Sequence, residues 1–375
     1  MQVFSYIKYM IKIRENVPLA QYTYYKIGGK AEYFCEVKDG KDIIEALQFS
    51  NEKKLPFFVL GGGANVLISD SGFNGLVIRI KNTGNDIEII NSKSEIRNTK
   101  QIQNSKFEIQ NSEHIRVNAG TKLSDLVNFS LKNGLSGLEW AAGIPGTVGG
   151  AVRGNAGAFN GEMGNVVESI VAVCHSEAKP KNLIKEEILH CVQDDKEENM
   201  TQVKSDNSGY KIKTFSNKQC AFGYRTSVIK EQGGVILSVT LKFKKITNKD
   251  LIFKNQEEAK NHIKYRKEHH PLKYPSCGSV FKNVDIGKIR EIGDIRGKGD
   301  IIPAGLLIAK AGLAGKRIGD AQISEKHSNF IINLRNATAE DVYKLIQFCQ
   351  KEVYKKFGVK LGPEVEFVGF KKLKM

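Results

Sequence analysis

Two glycine runs constrain this chain more than anything else in it. Gly61-Gly62-Gly63-Ala64-Asn65 follows directly on the apolar run Pro56-Phe57-Phe58-Val59-Leu60, and the second run reads Gly143-Ile144-Pro145-Gly146-Thr147-Val148-Gly149-Gly150-Ala151. A buried strand that opens into consecutive glycines exposes successive backbone N–H groups and permits left-handed backbone. Such a nest suits phosphate or pyrophosphate; a tight turn needs the same residues. The second run carries no basic residue and matches neither the P-loop nor the G-x-G-x-x-G pattern. A nucleotide held there would rest on backbone amides and small side chains. Two nests favour a dinucleotide over a mononucleotide. Gly accounts for 36 of 375 residues, above the usual share of about 7%, so close backbone approach is a theme of the whole chain. A third pair, Gly28-Gly29, follows aromatic residues 22–25 and Ile27. Those rings can lie on a flat ligand or simply pack.

Around these loops the pattern reads as α/β lobes. Ile43, Ile44 and Leu47 have helical spacing; residues 76–80, 115–117, 166–173 and 235–243 read as strands; 123–133 reads as a helix closed by Gly134. Residues 255–269 form a charged helix between two halves of the chain. Further on come a helix over 304–311, a strand over 328–334, and a long helix from Ala339 with Thr338 and Asp341 as a capping box and Val342, Leu345, Ile346, Cys349 and Val353 as its apolar stripe. A last strand covers 364–368. Three polar tracts, near 85–113, 175–209 and 285–302, look like surface insertions, the second with a short helix over 183–192.

The chain carries +16 at neutral pH with a pI near 9.4, which invites a nucleic-acid partner. The basic residues are scattered apart from Lys371, Lys372 and Lys374, and no nucleic-acid motif is present, so the expectation is no nucleic acid and an anionic small substrate. Six Cys without a C-x-x-C pair give no support for a metal site or a disulfide scaffold. Mean hydropathy is −0.32, and no apolar stretch approaches the ~20 residues of a membrane span. Residues 1–15 lack the apolar core of a signal peptide. A cytoplasmic protein is expected.

Polar chemistry concentrates in a few places. Tyr224 and Arg225 follow Gly223, and Arg offers a rigid donor fork for a carboxylate or enolate, or is an ordinary surface residue. Residues 271–283 pack two prolines, Cys277, Gly278 and Ser279 into an ordered loop. The Ser has no nucleophile-elbow pattern around it; it can donate a proton if its hydroxyl faces a cleft. Cys277 with His269 or His270 is a weaker nucleophile pair. Glu364 follows Gly362-Pro363, and His327 reads as a packing group.

Taken together, Tyr25-Lys26-Ile27-Gly28-Gly29, residues 60–67, GLEWAAGIPGTVGGAVRGNAGAFNGEM (137–163), 222–230, 275–283 and AQISEKHSNFIIN (321–333) closely resemble the UDP-N-acetylenolpyruvoylglucosamine reductases, or UDP-N-acetylmuramate dehydrogenases. The resemblance covers nearly the whole chain outside the three polar tracts and is to the family's shorter form, without the extra substrate-covering segment. It implies an α+β fold: a two-lobed FAD-binding module of the vanillyl-alcohol-oxidase/PCMH type (1–84 and 85–248) and a C-terminal α+β substrate domain (249–375).

It further implies FAD held by Ile27, Gly28, Gly29, Gly61, Gly62, Gly63, Ala64, Asn65, Gly143, Ile144, Pro145, Gly146, Thr147, Gly149, Gly150 and Ala151. NADPH reduces the flavin and leaves; hydride then passes from flavin N5 to C3 of the enolpyruvyl group, and C2 gains a proton. By resemblance Arg225 steadies the enolate charge, Glu364 assists it, Ser279 is the general acid, and Tyr224 and Asn283 touch the substrate. The sequence departs from the family pattern at His270, Cys277, Ala309 and Gly362, none of them a catalytic position. The alternative reading is another FAD-dependent oxidoreductase of the same fold with a different substrate.

Overall fold

A computed structural model describes residues 10–81, 86–90, 112–175, 209–285 and 301–370. The 183–192 helix, the lysines at 371, 372 and 374, and the interiors of the three polar tracts lie outside those residues. The chain divides into two compact units. One comprises Met1–Lys12, Glu36–Lys53 and Arg79–His262; the other comprises Ile13–Cys35, Lys54–Ile78 and Ile263–Met375.

The first unit is built on an antiparallel sheet in the order Tyr210–Ser216, Val167–His175, Val235–Lys245, Ser112–Asn118, Ile87–Ile90, with Leu135–Ser136 paired to the end of the third strand. Alternation in Val235–Lys245 makes the sheet one-sided. Val239, Leu241 and Phe243 are buried, while the alternating Lys242 and Lys244 are exposed. On the buried face lie the helices Leu123–Lys132 and Val148–Arg153, whose Leu123, Leu126, Val148 and Val152 join Ile115, Val117, Ile170 and Trp140 in one core. The polar tract near 85–113 starts and ends in the paired strands Ile87–Ile90 and Ser112–Asn118, so its arms are a hairpin. The charged helix begins at Lys249, six residues earlier than its apolar spacing indicates, because Asn248 Oδ1 accepts from Asp250 N at 2.8 Å and Leu251 N at 3.2 Å.

In the second unit the strand Val66–Ile68, which leaves the first glycine run, pairs in parallel with Glu366–Val368. The final strand therefore starts two residues after Glu364. The reason is local: Val280 O accepts from both Glu364 N (2.7 Å) and Val365 N (3.4 Å), which bends the chain before the ladder begins. The strand expected over 328–334 shortens to Ile331–Asn333, its start being taken by a turn in which Phe330 N donates to His327 O at 2.9 Å. Helix Ala339–Phe357 has the capping box of Thr338 and Asp341, and Val342, Leu345, Ile346, Cys349 and Val353 are all buried.

The same helix end has a second partner. The Asp70 carboxylate accepts from Ala339 N at 2.8 Å and from Glu340 N at 3.0 Å. It satisfies orphan donors and places negative charge at the positive end of the helix dipole. Asp70→Ala is expected to cost about 1–2 kcal/mol, read as a lower denaturation midpoint with an unchanged slope. An unchanged midpoint would show that the capping box suffices alone.

Candidate functional site

In the first glycine run, Gly63 sits at φ +68, and a Cβ there would lie 2.2 Å from Tyr22 O. Only glycine fits, because Gly63 O also accepts from Tyr24 N at 2.9 Å, pressing the run onto the 20–24 turn. Among the described residues no acceptor takes the N–H groups of Gly61, Gly62, Gly63 or Ala64. Four successive unspent donors in a half-buried loop suit an anion. Gly28 and Gly29 lie beside it, with Gly29 N donating to Ser69 O at 2.9 Å. Ile27 offers only main chain, since its side chain is core. Two aromatic residues of this turn pack, Tyr25 fully buried with its hydroxyl on Ile331 O at 2.8 Å and Tyr22 stacked on Phe34, while Tyr24 is exposed.

The second run lies in the first unit. Its 146–148 segment bridges residues 121–123, just ahead of the helix Leu123–Lys132, through Leu123 N to Gly146 O (3.0 Å) and Val148 N to Thr121 O (2.9 Å). Thr147 caps the short helix Val148–Arg153 by accepting from Gly150 N. Gly149 allows that helix to touch the sheet, since a Cβ there would stand 2.7 Å from Ala119 Cβ. Beside the run, Thr121 Oγ1 is buried with no hydrogen-bond partner among the described residues. A buried hydroxyl left without a partner is costly in a closed protein. A polar ligand seated along 143–150 would satisfy it. Within the first unit, an orphaned hydroxyl beside a glycine where a side chain would intrude fits part of a flavin dinucleotide held by main chain.

Ser279 and Glu364 are neighbours in the second unit. Beside the Glu364 N to Val280 O bond, Lys282 N donates to Gly362 O at 2.9 Å, so residues 280–282 and 362–364 run antiparallel. Asn65 joins the same corner, donating from Nδ2 to Glu364 O at 3.1 Å while its own carbonyl accepts from Glu366 N at 3.0 Å. Residues almost 300 positions apart thus place the end of the first nest, the Glu364 backbone and the strand after Ser279 side by side. Gly278, at φ +80, lets the loop turn so that Cys277 points inward and Ser279 stays half-buried.

The loop is fixed by a residue that sequence reasoning passed over. Buried Asn329 accepts from Phe281 N at Oδ1 (3.0 Å), donates from Nδ2 to Phe281 O (2.9 Å), and accepts from Val280 N at its own carbonyl (2.8 Å). It lies inside the 321–333 motif, but only the fold gives it a partner. Asn283 accepts from Ala304 N at 3.2 Å and so also ties down the helix Ala304–Lys310.

Cys277 is no nucleophile. Burial pushes its thiol up to about 12, the Glu364 charge adding to the effect, and a thiol so placed stays protonated. Neither histidine offered as its base is available. His269 is engaged with Tyr265, ring on ring and Nδ1 against Tyr265 O at 2.9 Å. His270 packs against His327 and Phe330; burial, with the nearby positive charge, holds it down to about 4. His327 is a packing group, its Nδ1 facing Asn329 N at 3.3 Å.

In the first unit, Arg225 occupies left-handed backbone (φ +59), donates from Nη2 to Gly157 O at 3.2 Å, and lies over the Tyr224 ring at 5.3 Å. Lys230 Nζ donates to Arg225 O at 2.8 Å.

An FAD binding domain model matches residues 31–176, and a model of the C-terminal domain of UDP-N-acetylenolpyruvoylglucosamine reductase matches 270–368. A reductase of that name from Caldicellulosiruptor bescii is 36% identical over 96% of this chain and 91% of its own length. One from Lactobacillus helveticus is 33% identical over 99% of this chain and 100% of its own. The crystal structure of UDP-N-acetylenolpyruvylglucosamine reductase from Thermus caldophilus superposes with a TM-score of 0.62 at 28% identity, over 96% of this chain and 98% of that one.

Proposed function

Since the chain belongs to the UDP-N-acetylenolpyruvoylglucosamine reductase family, the FAD-dependent oxidoreductases of peptidoglycan precursor synthesis, we infer that it reduces the enolpyruvyl ether of UDP-N-acetylglucosamine to UDP-N-acetylmuramate with NADPH as electron donor. We place that work in the cytoplasm; among the described residues no helix is long and apolar enough to cross a membrane. The observation that carries the reading is the corner where Asn65 bonds to the Glu364 carbonyl and Glu364 N to the Val280 carbonyl. It ties the end of the first glycine loop, the Glu364 backbone and the segment that follows Ser279 into one hydrogen-bonded frame.

FAD, when bound, supplies the hydride for C3 of the enolpyruvyl group. The residues of the chain manage the charge and the proton of that addition. The electron pair of the double bond is left on C2 and spreads into the adjoining carboxylate. The Arg225 guanidinium stabilises that charge. Ser279 gives its hydroxyl proton to C2, forming the C–H bond as Oγ–H breaks, and recovers a proton from solvent. Glu364 assists at the same centre. By family resemblance, residues 61–64 and 143–151 would hold FAD, the first group through their N–H donors. Tyr224 and Asn283 contact the sugar nucleotide.

The test is rapid mixing of the purified, flavin-loaded chain, first with NADPH and then with the enolpyruvyl sugar nucleotide. Bleaching of the flavin by NADPH, return of its colour on adding substrate, and UDP-N-acetylmuramate as the product are expected. Flavin that NADPH reduces but this substrate fails to reoxidise would point to a different substrate in the same fold.

A further inference from the structure

Backbone strain in this chain is concentrated around Arg225. Among the described residues eight non-glycine positions have positive φ, and five of them fall in two short segments: Asn155 (+41), Phe159 (+49) and Asn160 (+66), then Ala221 (+45) and Arg225 (+59). Left-handed backbone is tolerable for Asn but costly for Phe, Ala and Arg, and it persists only where surrounding contacts over-determine it. Here the two segments hold each other. Asn155 Nδ2 donates to Gly223 O at 3.0 Å, Ser227 Oγ to Arg153 O at 2.7 Å, and Arg225 Nη2 to Gly157 O at 3.2 Å. The turn itself is closed by reciprocal bonds between Gly223 and Thr226.

Asn155 is the centre of this clasp. Its side chain is buried, and its Oδ1 accepts from Gly164 N at 2.9 Å while its Nδ2 holds Gly223. It stands two residues beyond the helix Val148–Arg153 that continues the second glycine run. The segment it belongs to is thus anchored to the cofactor loop at one end and to the Arg225 turn at the other. We propose that Asn155 is a positioning residue for Arg225, fixing through Gly223 the strained turn that aims the guanidinium. The inference rests on the assignment of Arg225 to the reduction of the enolpyruvyl group.

Asn155→Asp separates the two contacts. It keeps an acceptor for Gly164 N and tolerates left-handed backbone, but it replaces the donor to Gly223 by an oxygen. On the flavin-loaded enzyme, the variant is expected to slow reoxidation by the enolpyruvyl substrate by about 10–10²-fold, as a misplaced catalytic group does, with the slowing confined to that half-reaction. Asn155→Asp combined with Arg225→Gln is expected to be no slower than Arg225→Gln alone, because one residue acts through the other. Multiplying effects in the double variant, or equal slowing of both half-reactions, would overturn the proposal.

Amide exchange supplies a readout independent of turnover. Peptides covering 222–227 should exchange faster in Asn155→Asp, while those covering 163–166 stay as in the parent. Parent-like exchange over 222–227 would also overturn it. Should Arg225→Gln leave reoxidation untouched, the assignment of Arg225 fails, whereas normal reoxidation in Asn155→Asp with a slow Arg225→Gln defeats only the positioning claim. Asn155→Gly, which keeps the backbone unstrained, is the second variant if the Asp form does not fold.

Discussion

Ser279→Ala is expected to leave flavin reduction by NADPH at its normal rate and to slow reoxidation by the enolpyruvyl substrate by about 10²–10⁴-fold. The hydroxyl has little part in holding its own loop. The loop's position is set from both sides by main chain: Val280 N on Asn329 O at 2.8 Å, and Val280 O under Glu364 N at 2.7 Å. Cys277 anchors the preceding turn in the core. Losing one oxygen from a half-buried side chain therefore removes a proton donor without moving the frame, and the melting temperature should stay within a few degrees. The two half-reactions, measured separately by stopped flow, decide the matter. Comparable losses in both would remove Ser279 from the role of acid.

Replacing Arg225 by Lys is the second large effect. Lys keeps the charge but loses the planar fork, and an ammonium cannot hold both the Gly157 carbonyl and two carboxylate oxygens in one plane. Loss of one preorganised charge-stabilising donor costs about 10²–10³-fold in rate, so reoxidation should fall by that much while flavin content is preserved. The left-handed backbone at Arg225 belongs to the turn and remains with Lys in place. A Lys variant that turns over like the parent would show that charge alone suffices and that fork geometry is irrelevant.

Most elements that position these residues are legible in one dimension. The strand-then-glycine order at 56–65, the capping box at Thr338, and the alternation in Val235–Lys245 are local, and each is dictated by backbone sterics or by period. The errors also have local causes. Asn248 extends its helix by capping, a side-chain-to-backbone bond that competes with periodicity, and a backbone turn closed by Phe330 N on His327 O takes the start of the strand. Asn155 and Asn329 stand in motifs that can be read but not interpreted. An Asn carries two donors and an acceptor whichever way it is used, and only its partners reveal the use.

The sequence alone settles the loops: glycine where no Cβ fits, small residues where a helix meets a sheet, and no basic side chain inside either nest. Those requirements are met within a few residues of chain, so composition and order suffice to express them. Tertiary structure alone decides that Asn65, Ser279 and Glu364 share one corner, because a parallel pairing of Val66–Ile68 with Glu366–Val368 closes a loop of some 300 residues. Contacts that distant are set by which buried faces pack together, and no local pattern encodes them.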